Sequence, residues 1–425
     1  MQGIHLAISI KKLEDDMCFI FIIHDGLRRN LFLSLINKAI EKNINFYIYA
    51  FSLREYYWFR TRGISKRQIK LIKKTKTFCD HQIDKCIDVA ADFITTRNAI
   101  KIYYATLNTL WQMKNYGPEV YIFGGNGLHA YDKAILEYQR SNVGVYTIFT
   151  ELSNIDGKVF FDNEGSNASS HFYRKLIRGE FDFPEYENNQ LKVWKKNYCE
   201  LKIKNHIVKQ SPKKNIKETF LYRTIGIIEF IFRVPSYQRF KIDEFFTQKK
   251  KVKKKLYPQD WVGYEDDISK IKNFILFPLQ VFGDSQIKLH SNVDNVQALE
   301  FAIKKARELN IPLVVKPHPA EPSRDALEKI IELKKKHGFY VSLNNTFELI
   351  NRCNEIIVIN STVGLEAIIC GRKVEFLGES FYKYFSEDKV LNFYLNHWLI
   401  DMNIFSMTNI NDNTFQKIID IAKLK

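Results

Sequence analysis

The chain has 425 residues, 45% of them hydrophobic and 26% charged. This composition describes a folded globular protein long enough for two cored domains, and it excludes a disordered chain. The formal net charge is +16 and the sequence pI is about 9.3. Such a charge predicts an anionic partner: a nucleic acid, an anionic membrane surface or an acidic sugar nucleotide.

Targeting and redox signals point to a cytoplasmic protein. No window reaches the ~18 uninterrupted apolar residues of a membrane-spanning helix, and the mixed charges of the first residues do not fit a signal peptide. The six cysteines form no CxxC pair, so reduced and mostly buried thiols are expected. His81, Asp84 and Cys86 have a loose ligand-like spacing, but a helix face explains it better, and neither a metal nor a cofactor is expected.

The amino-terminal half reads as alternating strands and helices. Residues 17–24 form an apolar run typical of a buried strand, residues 28–42 follow a helical pattern, and residues 45–51 form a second strand. This order predicts a parallel α/β unit. The region 56–108 is mostly helical, and its residues indicate no chemistry.

A glycine-rich turn follows the third predicted strand, residues 121–123. Glycines at the carboxyl end of a strand let backbone N–H groups approach a ligand closely, and this turn contains Gly124, Gly125, Asn126 and Gly127. The spacing is not a dinucleotide-binding fingerprint, so a tight strand-to-helix turn is an equal alternative. His129 is interpreted as an ordinary helix-face histidine.

Two carboxylates, Glu151 and Asp162, lie on either side of a turn at Asp156-Gly157. Each follows or ends an apolar run, the first of which is a fourth strand at residues 145–150. This placement could bring both to one rim, where glycosyl transfer needs a nucleophile and an acid/base. The alternative is that Asp162 only makes a turn, since Asp favours turns by itself.

Residues 186–260 are rich in lysine and aromatic residues and include the basic run 249–255. One interpretation is a surface that lies on anionic lipid, where each lysine contributes roughly 1 kcal/mol. The other is a solvated interdomain linker. A nucleic-acid partner is not favoured, because no binding motif accompanies the charge.

A second α/β region begins with the strand 274–279, followed by a polar loop that contains Gln280, Asp284, Ser285 and Gln286. Helices are predicted at 294–308, 324–337 and 346–353, and strands at 340–343 and 356–359. This alternation predicts a doubly wound sheet. The acidic run 265–267 is interpreted as a surface turn, and the aromatic, helical residues after 381 could return to the first domain.

The strongest functional signal is a predicted nucleotide phosphate site. An apolar strand ends in the cationic group Lys316 and His318, next to Pro319, and the strand 356–359 ends before Ser361 and Thr362. Ligands of open α/β sheets bind beyond the carboxyl ends of the strands. Ser361 and Thr362 also begin a predicted helix, whose free N–H groups and dipole favour a phosphate.

Taken together, these motifs make the chain similar to the capsule polysaccharide synthesis family of bacterial β-Kdo transferases, the Kps-type enzymes. The resemblance covers roughly residues 118–170 and 274–378. It rests on the glycine turn at 124–127, Glu151 with the segment from Asp162 through Asn167 to Ser170, the 278–286 segment, the 316–319 segment and the 360–367 segment. Ser166 departs from the apolar residue that family members often carry before the Asn.

The resemblance implies an α/β, GT-B-like fold, in which two Rossmann-like domains face each other across a cleft and a helical basic linker joins them. It implies a retaining β-Kdo glycosyltransferase of capsule or surface polysaccharide synthesis that moves Kdo from CMP-Kdo to a lipid-linked or glycan acceptor without a metal. The implied domains are an acceptor and catalytic domain (1–185), the basic linker or membrane-facing region (186–265), a nucleotide-sugar domain (266–385) and a helical tail (386–425). An enzyme of this kind would work on the inner face of the bacterial inner membrane.

The resemblance also implies roles for individual residues. Asp162 is the expected nucleophile and Glu151 the expected acid/base, although the two roles could be exchanged. The donor site would comprise Lys316, His318, Pro319, Ser361, Thr362, Glu366, Gln280, Asp284, Ser285 and Gln286. Gly124, Gly125, Asn126, Asn167 and Ser170 would line the rest of the cleft. Two alternatives stay open: a transferase of another CMP-sugar such as sialic acid, and a non-catalytic glycan-binding or export-coupling protein on the same scaffold.

Overall fold

The structure is a computed structural model that describes two compact units. The described residues are 17–74, 83, 85–113, 116–204, 224–225, 227–232, 234–237, 239–240, 261, 263–321 and 324–425. Unit 1 comprises Met1–Lys175, Lys213–Lys249 and Trp398–Lys425, and unit 2 comprises Leu176–Pro212 and Lys250–His397. These units are defined by contacts in space, and each combines separate ranges of the chain. The domain boundaries predicted from the sequence stay a prediction.

Unit 1 is built on a seven-stranded sheet. Its strands are β1 (Met17–Ile23), β2 (Asn45–Ala50), β3 (Ile69–Leu71), β4 (Glu119–Phe123), β5 (Val145–Leu152), β6 (Lys158–Asp162) and, from the end of the chain, β12 (Ile400–Asp401). The order across the sheet is β12-β6-β5-β4-β1-β2-β3. The five strands β1 to β5 pair in parallel, whereas β6 and β12 are antiparallel additions.

Helices cover both faces of this sheet, which explains why its central strands are apolar without alternation. The helices are α1 (Arg29–Glu41), α2 (Leu53–Arg60), α3 (Ile87–Ala90), α4 (Thr96–Trp111), α5 (Ala130–Arg140), α6 (His171–Arg178), whose end falls in unit 2, and α14 (Asp412–Ala422). One face of β1 buries Phe19 and Phe21 against α1 and α14, and the other buries Ile20 and Ile22 against α4 and α5. The last 28 residues thus complete the core of unit 1.

Unit 2 is built on a five-stranded sheet in which every pair is parallel. Its strands, with the order β11-β10-β7-β8-β9, are β7 (Ile275–Pro278), β8 (Leu313–Lys316), β9 (Tyr340–Val341), β10 (Glu355–Val358) and β11 (Lys373–Phe376). Its helices are α7 (Asn188–Lys204), α8 (Ser285–His290), α9 (Asn295–Leu309), α10 (Arg324–His337), α11 (Thr346–Arg352), α12 (Thr362–Ile369) and α13 (Asp388–Phe393).

Both sheets reverse their strand order at one place. In unit 1 the chain runs outward from β1 through β2 to β3 and then returns to β4 on the other side of β1. In unit 2 it runs from β7 through β8 to β9 and then returns to β10 on the other side of β7. Such switch points leave a crevice beyond the carboxyl ends of the two strands, and ligands of open α/β sheets bind there.

The expected fold class, α/β with two Rossmann-like units as in GT-B proteins, is confirmed. The cysteine expectation is wrong in one respect, because Cys199 of α7 and Cys370 at the end of α12 form a disulfide. Their Cα atoms lie 5.9 Å apart although 171 residues separate them in sequence. Spacing along the chain could not reveal this pair, because only the packing of the helices brings the two residues together. Cys18, Cys86 and Cys353 are buried free thiols.

Candidate functional site

At the switch point of unit 2, a network of amides joins the ends of β7 and β10. The Gln280 side chain donates to Asn360 Oδ1 at 3.0 Å and accepts from the Asn360 N–H at 3.0 Å. The backbone of Gln280 exchanges two further hydrogen bonds with the Asn295 side chain. Gln280 is buried, so it fixes the geometry of this edge, and its polar groups are occupied within the protein.

Asp284, Ser285 and Gln286 form the start of α8. Asp284 caps that helix by accepting from the Gln286 N–H at 2.8 Å, and the Gln286 carbonyl accepts from Asn360 Nδ2 at 2.9 Å. All three side chains are partly exposed. The structure therefore places the predicted polar loop beside the end of β10, where Asn360 links the two.

The predicted phosphate residues lie at the start of α12. Ser361 is the N-cap, and its hydroxyl oxygen accepts from the Val363 N–H at 3.2 Å. The Thr362 N–H has no hydrogen-bond acceptor among the described residues, and both side chains are partly exposed. The dipole of this eight-residue helix favours an anion at the same place.

Two basic side chains, Lys316 and His318, lie at the carboxyl end of β8, which β7 separates from β10, so the two predicted phosphate-binding segments do not follow adjacent strands. Burial lowers the pKa of Lys316, an effect that the nearby Glu265 opposes. Burial and Lys316 lower the pKa of His318, while Asp284 raises it. His318 Nδ1 accepts from the Ala320 N–H at 3.1 Å, which leaves Nε2 as the nitrogen that can donate to a ligand. Pro319 is exposed.

Glu366 lies one turn into α12 and receives no hydrogen bond from any described residue. Burial raises its pKa to about 7, and the positive charge of Lys202 acts in the opposite direction. Its side chain is nevertheless partly open to solvent. An unpartnered carboxyl group in a recess is available to accept a hydrogen bond from a ligand hydroxyl.

In unit 1 the two predicted carboxylates belong to the antiparallel hairpin of β5 and β6. Phe149 pairs with Asp162, and Glu151 pairs with Phe160. Paired residues share a face of the sheet, as do residues two apart on one strand, so Glu151 and Asp162 lie diagonally on one face. Residues in this diagonal relation are about 7–8 Å apart, within reach of each other's side chains. The hairpin thus brings together the two groups that the sequence suggested.

Asp162 is fully buried and engaged by the backbone. Its Oδ1 accepts from the N–H groups of Glu164 (2.8 Å), Gly165 (3.1 Å) and His171 (2.9 Å), whereas Oδ2 accepts only from Phe172 (2.9 Å). Burial raises the pKa of Asp162 to about 6, and the four N–H donors oppose that rise. Asp162 therefore binds the loop 163–171 to the start of α6, and its Oδ2 accepts fewer hydrogen bonds than its Oδ1.

Glu151 is more open than Asp162. Its Oε2 accepts from Asn126 Nδ2 at 3.0 Å and its Oε1 from the Leu152 N–H at 2.9 Å. The other members of the predicted cleft shape the local backbone: Asn167 has a left-handed φ of 51°, and the Ser170 hydroxyl accepts from the Tyr173 N–H at 3.0 Å.

The glycine turn after β4 is tied down by one buried carboxylate. Asp132 accepts from the N–H groups of Gly125 (2.7 Å) and Gly127 (3.0 Å). A Cβ on Gly125 would lie 2.0 Å from the Tyr131 hydroxyl oxygen, and one on Gly124 would lie 2.7 Å from Asp132. The glycines are thus needed for close packing, and these two N–H groups are already occupied.

Sequence reasoning missed a polar cluster at the switch point of unit 1. His24 and Asp25 directly follow β1, and His129 precedes α5; the imidazole rings of His24 and His129 lie 4.6 Å apart. The sequence contained a signal for this cluster, because His24 and Asp25 are polar residues directly after a buried strand. His129, however, was interpreted as a helix-face residue. Within the described ranges, no group of three or more His, Cys, Asp or Glu side chains could hold a metal ion.

The basic region 186–260 is only partly described, and the lysine run 249–255 and the pair His81 and Asp84 lie outside the described residues. Across the described parts of the chain, no helix combines the length and the apolar character that crossing a bilayer requires. The acidic run 265–267 is an irregular segment beside β9, where Asp266 accepts from the Val341 N–H at 2.7 Å and from Lys334.

Comparison with known proteins supports a relationship to capsule synthesis. Residues 196–404 match the family model described as capsule polysaccharide biosynthesis protein. The chain is 33% identical over 114 residues to protein FixF of Sinorhizobium fredii and 27% identical over 121 residues to the capsule polysaccharide export protein KpsS of Escherichia coli. Each alignment covers 26% of this chain, and they cover 27% and 31% of the two relatives.

Among solved structures, the β-Kdo 2,7 transferase of Thermosulfurimonas dismutans KpsC is similar over 79% of this chain and 80% of its own, with 19% identity and a TM-score of 0.37. The β-Kdo 2,4 transferase of the same KpsC is similar over 63% and 73%, with 16% identity and a TM-score of 0.34. These structural similarities are remote.

The two open α/β sheets, each with polar groups at its switch point, define an α/β protein of the GT-B-like class. The expected resemblance to the Kps-type capsule polysaccharide synthesis proteins is supported by this family model and by the similarity to KpsS, each of which matches less than half of the chain.

Proposed function

We propose that this protein is a glycosyltransferase of bacterial capsule or surface polysaccharide synthesis that transfers Kdo from CMP-Kdo to a lipid-linked or glycan acceptor with retention of configuration. The observation that carries the proposal is the edge of unit 2 where Lys316 and His318 at the end of β8 and the free Thr362 N–H after β10 lie at the carboxyl ends of strands on either side of β7. Two cations and a helix N-terminus suit a phosphate that departs with a negative charge. The family match over residues 196–404 includes this edge.

In this proposal unit 2 binds CMP through the phosphate group, and Glu366 accepts a hydrogen bond from a ribose hydroxyl. The lowered pKa values of Lys316 and His318 are consistent with cations that lack a counterion until the nucleotide arrives. A bound phosphate would favour their charged forms and raise both pKa values. No metal or cofactor is required for this role, because the protein itself supplies the positive charge.

The chemical step is assigned to the hairpin of unit 1. Asp162 Oδ2 attacks the anomeric carbon while the bond to the CMP oxygen breaks with its electron pair. The acceptor hydroxyl then attacks the glycosyl-enzyme, releases Asp162 and loses its proton to Glu151. Glu151 is the more open of the two carboxylates, which suits proton exchange with a ligand.

A membrane surface is the proposed location of the acceptor. Residues 227–231 form a helix whose apolar side chains point outward, as Ile227, Ile231 and Phe232 are 57%, 65% and 74% exposed. Its one acidic residue, Glu229, is instead buried, where it accepts from the Leu53 N–H and the Ser236 hydroxyl. With a net charge of +16, this arrangement suits peripheral binding to an anionic bilayer on its cytoplasmic face.

The test is an assay of CMP release from CMP-Kdo with candidate acceptors, followed by determination of the product anomer. Asp162→Asn should lower transfer by more than about 10³-fold and leave CMP binding unchanged. The substitution also disturbs the bond from the Phe172 N–H, so unfolding must be followed in parallel, with a loss of about 1–3 kcal/mol expected. Wild-type inactivity towards CMP-Kdo, or an inverted product, would overturn the donor or the mechanism.

Glu151→Gln is the matched comparison, because it removes the other carboxylate charge from the same hairpin face. Loss of transfer with preserved donor cleavage would assign Glu151 to the acceptor step. If folded Asp162→Asn protein transfers at the wild-type rate, Asp162 serves only to close its loop. A panel of CMP-sugars that includes CMP-sialic acid distinguishes the alternative donor.

A further inference from the structure

A disulfide connects α7 to the helix that begins at Ser361 and Thr362. Cys199 lies in α7, and Cys370 is the C-cap of α12, where its N–H donates to the Glu366 carbonyl oxygen at 3.0 Å. Both cysteines are partly exposed. A dithiol in solution can therefore reach the bond, and reduction would remove the covalent link between the two helices.

The other described cysteines are shielded from such exchange. Cys18, Cys86 and Cys353 are buried, and burial raises the pKa of the first two thiols to about 12 and that of Cys353 to about 11. The thiolate is the form that reacts, so these thiols are inert near neutral pH. Within the described residues, thiol–disulfide exchange is thus confined to Cys199 and Cys370.

The helix α7 is shallowly packed on the rest of unit 2. Only Leu191 and Tyr198 of its 17 residues are buried. The Tyr198 ring lies 6.2 Å from that of Phe347 on α11, and Lys195 pairs with Asp388 on α13. Two buried side chains and a partly exposed ion pair hold a helix of this length weakly, so its position depends on the disulfide.

The faces that the disulfide joins also carry two opposite charges. Cys199 and Lys202 are three residues apart on α7, and Glu366 and Cys370 are four apart on α12, so each pair lies on one side of its helix. Burial raises the pKa of Glu366 to about 7, and the positive charge of Lys202 opposes that rise. The disulfide therefore keeps the Lys202 side of α7 turned towards the Glu366 side of α12.

Within the described part of the chain, Lys202 is the charged side chain that acts on Glu366. Strands β10 and β11 and the 3-10 helix Phe381–Ser386 also pack against α12. Their charged residues have partners of their own: Glu355 and Glu375 pair with Lys305, Lys373 with Glu355, and Lys383 with Glu379. The electrostatic surroundings of Glu366 therefore depend on where α7 places Lys202.

From this arrangement we infer that the Cys199–Cys370 disulfide is a redox switch of the ligand site at α12: the oxidised bond holds Lys202 near Glu366, and reduction releases α7 and weakens nucleotide binding. In the oxidised state Lys202 favours the carboxylate form of Glu366, which is the better acceptor for a ligand hydroxyl. Lys202 is thus a positioning residue that acts through Glu366. The identity of the ligand as CMP rests on the proposed function.

The redox switch operates by thiol–disulfide exchange with a dithiol reductant. One thiolate of the reductant attacks a sulfur of the bond, and the other cysteine leaves as a thiolate. The second thiol of the reductant then displaces the first cysteine, so the protein gains two electrons and two protons while the reductant forms its own disulfide. In the proposed cytoplasmic location, where thiols are kept reduced, a disulfide is usually transient and either redox-sensing or catalytic.

The first test compares CMP binding by the oxidised full chain, by the same chain reduced with dithiothreitol, and by the chain after reoxidation. Reduction should raise the Kd for CMP about 5-fold, a typical coupling between two sites, and reoxidation should restore it. Cys199→Ser should bind as the reduced wild type does, with and without dithiothreitol. Equal Kd values for the two redox states, or unfolding of the reduced wild type, would overturn the inference.

Lys202→Met tests the link between the disulfide and Glu366. The oxidised variant should bind CMP about 5-fold more weakly than the oxidised wild type, and reduction should change its Kd by less than about twofold. Lys196→Met is the matched control, because Lys196 is an exposed lysine of the same helix, and it should keep the full redox effect. A redox effect of wild-type size in Lys202→Met would contradict this redox switch.

A third measurement needs no nucleotide. In protein that carries ¹³C-labelled glutamate, with the Glu366 signal assigned from Glu366→Gln, reduction should raise the pKa of the Glu366 carboxyl group because Lys202 leaves its surroundings. An unchanged pKa would reject the redox switch. If neither redox state binds CMP although this pKa rises on reduction, the proposed nucleotide is rejected and the redox switch is kept. Turnover of CMP-Kdo with redox-independent CMP binding keeps the transferase and rejects the redox switch.

Discussion

At the scale of single residues, Glu366 combines a cost in stability with a place in the proposed nucleotide site. Its carboxyl group is recessed and receives no hydrogen bond from the described residues, and burial raises its pKa to about 7. The folded protein therefore holds this proton more tightly than the unfolded chain, where a glutamate titrates near ~4.3. The carboxylate form destabilises the fold, which suggests that Glu366 is retained for a ligand.

The sign of the pH dependence follows from this shift. Between about pH 4.3 and 7 the native state binds more protons at Glu366 than the unfolded state does, so its contribution to stability falls as pH rises and is constant above that window. Glu366→Gln should remove this fall and increase the free energy of unfolding by about 1–2 kcal/mol at pH 8, with little effect near pH 4. Urea unfolding at both pH values measures the difference, and CMP binding should weaken.

Glu328→Gln is the control for that experiment, since Glu328 is an exposed carboxylate on the surface of α10. It should change neither the pH dependence nor CMP binding. If the unfolding free energies of wild type and Glu366→Gln differ by the same amount at both pH values, the titration of Glu366 has no part in the effect.

At the scale of elements, the helix at 227–231 reverses the usual arrangement. A surface helix normally turns its apolar side chains inward, but here Glu229 faces inward and the isoleucines face outward. Local sequence could not reveal this orientation, because it depends on the Leu53 N–H and the Ser236 hydroxyl that receive the carboxylate. The exposed side of this helix is the part of the chain most suited to a lipid surface.

Replacing Ile231 and Phe232 by serine should weaken binding to anionic vesicles by about 10-fold or more, because each apolar side chain contributes about 1.5–3 kcal/mol when it leaves water. Cosedimentation with phosphatidylglycerol-containing vesicles gives the measurement. The control is Val143→Ser, which removes another fully exposed apolar side chain of unit 1 and should bind as wild type does. A variant that keeps its vesicle binding but loses self-association would assign the helix to a second copy of the chain instead.

At the scale of the whole molecule, the disulfide of Cys199 and Cys370 links two distant parts of the chain within unit 2. It ties α7 to the end of α12, the helix whose start carries Ser361 and Thr362. A link that closes a loop of this length restricts the unfolded chain strongly. The stability of unit 2 should therefore depend on the redox state of its surroundings.

Cys199→Ser should lower the free energy of unfolding of the oxidised protein by about 2–4 kcal/mol. Treatment of the wild type with dithiothreitol should produce the same loss, and it should have no further effect on the variant. Chemical unfolding with and without the reductant provides the measurement. Equal stability of the oxidised wild type and the variant would contradict a stabilising role for this bond.

Much of the architecture followed from periodicity alone. The apolar runs that became β1, β2, β5, β7 and β10 are buried on both faces of parallel sheets, so their composition identified them without knowledge of their neighbours. The same reasoning predicted Ser361 and Lys316 at strand ends, because the polar residue that follows an apolar run marks the place where the buried strand ends. Expected pairs such as Glu151 and Asp162 were close because a short hairpin connects them.

What the sequence by itself determined was the alternation of strands and helices, the polar groups at their ends and the resemblance that these motifs carry. Only the tertiary structure decided which groups are already occupied: the burial of Asp162 under four N–H donors, the pairing of Cys199 with Cys370, and the meeting of His24 with His129 across 105 positions of sequence. The physical reason is that hydrogen-bond satisfaction and burial depend on neighbours supplied by distant parts of the chain. Local patterns contain no information about those neighbours.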